Sequence, residues 1–323
     1  MIDAQAKCTG VVLLDDWTVE EQGRCEIGTS FGCPSSGSGM WTKGGCTGLF
    51  SVDSKVTTCG GHYNSPCAAG ALPQPKDKCD IMILTTYFTT IMDWQRKKKA
   101  KVDFSKIEKL YKGVIQLGLN MTLVYDELPE KIIKTYTCDR FHFEKVNLDD
   151  FDRRYGVNDV RYFFFQRLVS SNGHWQTIFI IDAFDVQVVM NPCSAVKRGT
   201  LYVGTESDDL RRHPWMAVRF KHMGGKYLTW FEKVLPRVKI VNCGLTGGSR
   251  EIMLQLLGQM VQVLSDPAML IMRKRSEEIN VNMAALNYIV YNVFQGKFTG
   301  GAPMHSKYKS FETNRTDVWF IHK

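Results

Sequence analysis

The sequence predicts an α/β fold with a mostly parallel central sheet, preceded by a small disulfide-rich module. Three observations predict it. From Asp80 onward, short apolar runs alternate with segments whose apolar residues recur at helical spacing. Seven of the ten cysteines (Cys8, Cys25, Cys33, Cys46, Cys59, Cys67 and Cys79) lie in the first quarter of the chain. The whole, at 323 residues with 44% hydrophobic and 23% charged, has the make-up of a globular protein of one or two domains.

Residues 1–79 read as a strand- and loop-rich module, with turn signals at Pro34–Gly39 and Gly60-Gly61. So small a unit gains most from cross-links. Zinc is the competing explanation, but no C-x2-C pair or C…H-x3-H spacing occurs there, which favours disulfides, the odd cysteine being free to pair with Cys138. The segment Cys25–Cys33, followed by Trp41, Gly45-Cys46 and Phe50, resembles a cysteine-rich module that recurs in secreted proteins. That resemblance implies a lectin-like or cell-surface accessory role; a stapled structural cap is the alternative. Asn120-Met-Thr122 and Asn314-Arg-Thr316 are acceptor triplets for glycosylation in a secretory lumen.

The linker is read at residues 68–78, which carry Pro73 and Pro75. Ile81–Phe88 is an apolar, β-prone run suited to a strand buried on both faces. Phe104–Leu117 repeats Ile107, Leu110, Tyr111, Val114 and Ile115 at helical spacing. Strands are predicted at Met121–Tyr125, Phe141–Val146, Trp175–Ile181, Thr200–Thr205 and Lys239–Cys243, and helices at Val157–Val169, Ser249–Leu264 and Asn280–Phe294. Ser249 is expected to cap its helix, with Glu251 in the first turn.

One strand end carries chemistry. Thr177–Ile181 delivers Asp182 and Asp185 and leaves through Asn191-Pro192. Two carboxylates three residues apart at a sheet rim are oxygen ligands suited to a hard divalent cation, Mn2+ or Mg2+, that also holds a diphosphate. The alternative is a turn cap at Asp182 and a solvated Asp185. Gly244, Gly247 and Gly248 allow close approach of a bulky ligand, or serve a tight turn by packing alone.

This arrangement resembles glycosyltransferases of the GT-A fold, a Rossmann-type architecture in which a D-x-D-type motif ends a central strand; the resemblance extends over residues 80–323. It implies a metal held by Asp182, Asp185 and His322. It implies a nucleotide-sugar steadied by Asp159 and Arg161 of the Asn158–Tyr162 helix start, by Asn242, Gly244, Gly247 and Gly248, and by the late residues His305 and Lys323. His305 is the runner-up metal ligand. Asn282 stands where related enzymes often place an acid; it can hydrogen-bond a sugar hydroxyl but cannot act as a general base. Asp208 and Asp209 are the substitutes, and Asp126 and Glu127 are placed toward the nucleotide or in a solvated loop. The donor expected is a nucleoside diphosphate sugar, UDP-linked ahead of GDP-linked, and the acceptor a glycan or glycoprotein hydroxyl. A weakly active or inactive, lectin-like surface protein is the alternative function, and a hydrolase is disfavoured because no Ser or Cys nucleophile motif occurs.

Charge narrows the partners. Residues 1–79 hold 6 of the 41 Lys+Arg and 8 of the 33 Asp+Glu, so the larger part holds 35 and 25. That basic excess suits an anionic partner or a solvated surface. The run Arg96–Lys101 either reaches a nucleotide or forms a solvated loop; it lacks interleaved aromatics, which argues against nucleic acid. No G-x-G-x-x-G or P-loop occurs in a strand-to-helix context. No apolar run approaches the ~18–20 residues of a membrane helix, so any membrane attachment is expected through a segment outside this sequence. The secretory lumen (Golgi or ER) or the cell exterior is the expected location, the cytoplasm the alternative.

Overall fold

The computed structural model describes residues 11–16, 31–32, 40–42, 48–52, 55–59, 66–67, 80–93, 97–151, 155–193, 195–272, 280–306, 315 and 317–322. The chain divides into two compact units, Met1–Lys78 with Glu130–Phe141, and Cys79–Pro129 with His142–Lys323. In the first, β1 (Val11–Asp16), β4 (Gly48–Val52) and β5 (Lys55–Cys59) form an antiparallel sheet, and β2 (Phe31–Gly32), β3 (Met40–Thr42) and β6 (Pro66–Cys67) form another. The disulfides and secreted-type module expected before residue 80 lie outside the described residues. Cys138 carries a free thiol, against the expectation that it takes the odd cysteine, while Cys193 is disulfide-bonded.

The second unit runs, in chain order, β7 (Ile81–Tyr87), β8 (Met92–Asp93), β9 (Lys98–Lys99), α1 (Ser105–Gln116) and β10 (Asn120–Tyr125). After α2 (Glu130–Tyr136), which belongs to the first unit, come β11 (Phe141–Lys145), α3 (Val157–Ser171), β12 (Thr177–Ile181), β13 (Val186–Val188) and β14 (Leu201–Asp209). Then follow α4 (Pro214–Met223), α5 (Gly225–Lys233), β15 (Lys239–Ser249), α6 (Arg250–Leu264), α7 (Pro267–Met272), α8 (Asn282–Val293), β16 (Phe298–Gly300), β17 (Met304–Ser306) and β18 (Phe320–His322).

The main sheet has the order β11-β10-β7-β12-β15-β14-β16. β7, β10 and β12 are mutually parallel, β15 is antiparallel to both its neighbours, and β16 is parallel to β14. The fold is therefore α/β with a mainly parallel sheet, one central strand being reversed. Its inner strands are apolar on both faces because both are covered: Ile83, Leu84, Leu123, Val124, Ile180 and Ile181 have no measurable exposure. Each such side chain contributes roughly 1.5–3 kcal/mol by leaving water. The five apolar positions read in α1 are all buried, as are Ile252, Leu256, Leu257, Met260 and Val263 of α6.

Three local expectations need correction. Ser249 occupies the N-cap of α6 but makes no capping bond; its Oγ accepts from the Gly199 N–H, 3.4 Å away. The segment Asn242–Gly248 is not a turn but the continuation of β15. Asn120 opens β10 with its amide on Asp80 at 3.1 Å, and Thr122 is buried against Met82, so this triplet is not presented on a loop.

Asp266 ties α5 to the end of α6. Its carboxylate accepts from Tyr227 Oη at 2.7 Å and from the Ala268 N–H at 3.0 Å, and lies 3.2 Å from Lys226 Nζ. The Tyr227 hydrogen bond, reinforced by Lys226 and the Ala268 N–H, holds this carboxyl below its ordinary 3.8. A depressed folded-state value stabilises the fold above about pH 4, and that stabilisation disappears as pH falls through the lowered value. Asp266→Asn should therefore cost about 1 kcal/mol in urea unfolding at pH 7, and the difference from the parent should close near pH 2.

Candidate metal centre

β12 ends at Ile181 on the sheet rim, and Asp182 follows with its N–H donating to Gly244 O at 3.0 Å. The chain turns and re-enters extended structure at Val186, so Asp185 faces back toward Asp182. β13 then pairs antiparallel with β18, with Val186 opposite His322. That register sets the imidazole beside both carboxylates: Nε2 lies 3.9 Å from Asp182 Oδ2 and 3.5 Å from Asp185 Oδ1. One donor atom from each of the three residues lies within 4.8 Å of the others. Donors ~2.1 Å from an octahedral ion stand ~3 Å apart when adjacent and ~4.2 Å when opposed. Asp182, Asp185 and His322 thus form a group that could hold a metal ion. His322 is 3% exposed, while the two carboxylates, at 32% and 24%, remain open to solvent.

Arg161 of α3 orients the first carboxylate. Its Nη1 donates to Asp182 Oδ1 and its Nη2 to Cys243 O at 3.2 Å, leaving Asp182 Oδ2 toward His322. Burial works against the guanidinium charge, but the adjacent Asp182 carboxylate outweighs it and Arg161 stays fully charged. For His322, burial disfavours protonation, yet the Asp185 hydrogen bond with the Asp182, Asp185 and Glu206 charges raises the imidazole above its ordinary value. A proton and a metal ion would compete for that nitrogen. The Cys243 thiol behind Arg161 is pushed up to about 12 by burial, which makes it inert.

Two helices begin beside this pair and cap each other. Asp159, fully buried in the first turn of α3, accepts from the N–H groups of Val281 (3.0 Å) and Asn282 (2.8 Å) at the start of α8. Asn280 Oδ1 in return accepts from the Asn158 N–H at 3.3 Å. Gly156 has no room for a side chain, since a Cβ would stand 1.8 Å from that oxygen. Asp159, expected to steady the nucleotide-sugar, instead spends its carboxylate on helix N–H groups, where the positive dipole ends favour it.

The three glycines of β15 divide. A Cβ on Gly244 would stand 2.3 Å from His322 Cε1 and 2.7 Å from Asp182 Oδ2, so bare backbone here is a condition of the triad. At Gly247 it would overlap the Phe179 ring at 2.1 Å, and at Gly248 it would meet Thr200 O at 2.6 Å. Packing closes those two positions to a side chain.

The substitute carboxylates also separate. Asp209 is held by Lys239 Nζ at 3.0 Å, and Asp208 lies 3.5 Å from His213. Sequence reasoning missed Glu206. Register shifts in β14 between Val203/Gly204 and Thr205/Asp209 turn Glu206, rather than the two aspartates, toward Asn242. Asn242 Nδ2 donates to Glu206 Oε1 at 2.7 Å, and Asn242 Oδ1 accepts from the Gly244 N–H at 2.7 Å. Burial raises the Glu206 carboxyl above its usual range, against the opposing pull of Asn242, His213 and His322. The signal available in sequence was the period-2 alternation of β14, which the shifts obscure.

Asn282 sits buried at the N-terminus of α8. His305 lies on β17 in register with Ile321, and neither its side chain nor Lys323 is among the described residues. Asp126 accepts from the N–H groups of Thr89 and Thr90, both at 2.8 Å, which shapes the loop after β7 rather than presenting a free charge. Lys98 and Lys99 are exposed on the β8–β9 hairpin.

Neither a family model nor a curated protein matches this chain. Among solved structures, it is similar to a glycosyltransferase involved in the glycosylation of the major capsid of PBCV-1, at 12% identity and a TM-score of 0.37, over 75% of this chain and 92% of that one. A likeness this distant transfers neither activity nor residue roles, and the centre rests on its own geometry.

The division of the glycines is measurable. Gly244→Ala should abolish Mn2+-induced thermal stabilisation, because His322 and Asp182 must part to admit the methyl group. Gly247→Ala should retain the Mn2+ response while losing about 1–3 kcal/mol of stability to overpacking against Phe179. Equal Mn2+ responses in the two variants would refute the assignment of Gly244.

Proposed function

We propose that this protein is a metal-dependent glycosyltransferase that moves a sugar from a nucleoside diphosphate donor, UDP-linked ahead of GDP-linked, to a hydroxyl of a glycan or glycoprotein. The observation that carries the reading is the Asp182–Asp185–His322 group at the carboxyl end of β12, where open α/β sheets bind ligands. Two carboxylates and an imidazole suit Mn2+, and Mg2+ less closely because of the nitrogen donor. When bound, the ion offsets the charge that builds on a departing diphosphate.

The remaining roles belong to side chains of this chain. Arg161 holds Asp182 in one orientation, so the site is formed before ligand arrives. Gly244, lacking a side chain, lets His322 and Asp182 close on the β15 backbone. Glu206 is the carboxylate we assign to the acceptor hydroxyl: it is half-buried, raised toward the working range of a general base, and held by Asn242. Asn282, lacking a basic oxygen, is assigned to sugar hydroxyls. For location we propose the secretory lumen or the cell exterior, on the cysteine-rich first quarter of the sequence, with the cytoplasm as the alternative.

Thermal shift with Mn2+ and UDP tests the binding half. A ligand present at 100 times its Kd stabilises a fold by about 2.7 kcal/mol, and Asp185→Ala should erase that gain. Turnover separates the roles further. Glu206→Gln should keep the Mn2+–UDP response while sugar transfer falls about 10^2–10^4-fold. A parent protein that ignores every nucleoside diphosphate with Mn2+ yet is stabilised by a glycan would replace this reading with the lectin.

A further inference from the structure

A cavity of about 480 Å3 lies at the other end of β14, beside its pairing with β16. Tyr202 and Trp319 line it, with only 4% and 5% exposure, and their ring centroids are 4.9 Å apart at 60°. Phe298 adds a third ring, and the exposed Lys197 and Lys297, with Thr299, are the charged and polar residues of the lining. Among the described residues the lining contains neither a carboxylate nor an arginine.

The lysines leave from fixed main-chain points. The Lys197 N–H donates to Tyr202 Oη at 2.9 Å, and Lys297 O accepts from the Leu201 N–H at 2.8 Å. The cavity is separate from the metal centre: four strand residues from Tyr202 to Glu206 span about 13 Å, and three from Trp319 to His322 about 10 Å. A pocket of this size is in the range of ligand sites, generally 300–1,000 Å3.

We propose that this cavity binds a carboxylated sugar unit, a uronate-type residue of an acidic glycan. A pyranose ring has an apolar C–H face that packs on Phe298, the most exposed of the three rings, and hydroxyls within reach of Thr299. Its carboxylate meets two ammonium groups in charge-assisted hydrogen bonds. A neutral sugar leaves both ammoniums unmet by the ligand. A phosphate monoester is better served by an arginine fork or a nest of N–H groups, and no arginine lines the cavity among the described residues. The basic excess of residues 80–323, 35 Lys+Arg against 25 Asp+Glu, suits an anionic polymer. The inference does not depend on the metal centre.

Saturation-transfer NMR and titration calorimetry on the full chain test it, with digalacturonate as probe and galactobiose and glucose 1-phosphate as controls. Digalacturonate should bind without Mn2+, at least tenfold more tightly than either control. The exposed pair Lys197→Glu with Lys297→Glu should weaken it at least tenfold with the melting temperature unchanged, and Phe298→Ala should weaken it without charge alteration. Asp185→Ala should bind as the parent does. The proposal falls if digalacturonate gives no saturation transfer, if either control binds as tightly, if the double lysine variant binds undiminished, or if Asp185→Ala loses the probe.

Discussion

The Arg161–Asp182 pair is the constraint from which the rest of the centre follows. A guanidinium that is 5% exposed is costly to bury unless a carboxylate and further acceptors meet it. Asp182 Oδ1 and Cys243 O supply those acceptors. The same contacts deny Asp182 any rotation that would turn both oxygens to water. One oxygen is held inward by the buried cation, and the other is left at the rim. A side chain at a strand end, ordinarily free to sample rotamers, becomes a fixed ligand atom because a helix behind the sheet needs its charge. The helix is itself pinned by Asp159 and Asn280, whose reciprocal caps fix α3 against α8.

Backbone pairing supplies the other ligands. His322 is far from Asp185 in sequence, and it arrives because β18 adds antiparallel to β13, with Val186 opposite it. β15, the reversed strand, carries Gly244 past Asp182, and the Asp182 N–H closes on the Gly244 carbonyl. Had any side chain stood at 244, the imidazole and the carboxylate would have had to part. Two strand registers and one missing Cβ thus bring together three side chains that could hold a metal ion.

The parts of the fold legible in sequence were those whose burial is uniform. β7, β10 and β12 are covered on both faces, so their apolar runs are unbroken, and α1 and α6 bury one clean stripe each. α4 and α5 were not readable that way, because buried aromatics (Phe220, Tyr227, Phe231) stand among partly buried ones (Trp215, Trp230) and widen the apolar face. β15 read as a strand followed by a turn because Gly244, Gly247 and Gly248 have the composition of a turn, whereas the glycines answer three separate neighbours: the triad, the Phe179 ring and Thr200 O. Asp182 and Asp185 could be picked out because acids seldom follow so apolar a strand. The position of His322 rested on resemblance alone, since register between distant strands leaves no local trace. Glu206 was passed over for the adjacent aspartates because the irregular pairing of β14 hides which of its side chains turn toward Asn242.

Charge balance at the rim gives the arrangement its direction. Asp182, Asp185 and Glu206 all act on the His322 imidazole, and Arg161 pairs with the first of them. Burial raises the Glu206 carboxyl, and the Asp185, Asp182 and Glu206 carboxylates raise the His322 imidazole against its own burial. Under the proposed function a divalent cation would be held by Asp185, the outward oxygen of Asp182 and the His322 imidazole, where it would compete with the proton that the same carboxylates favour.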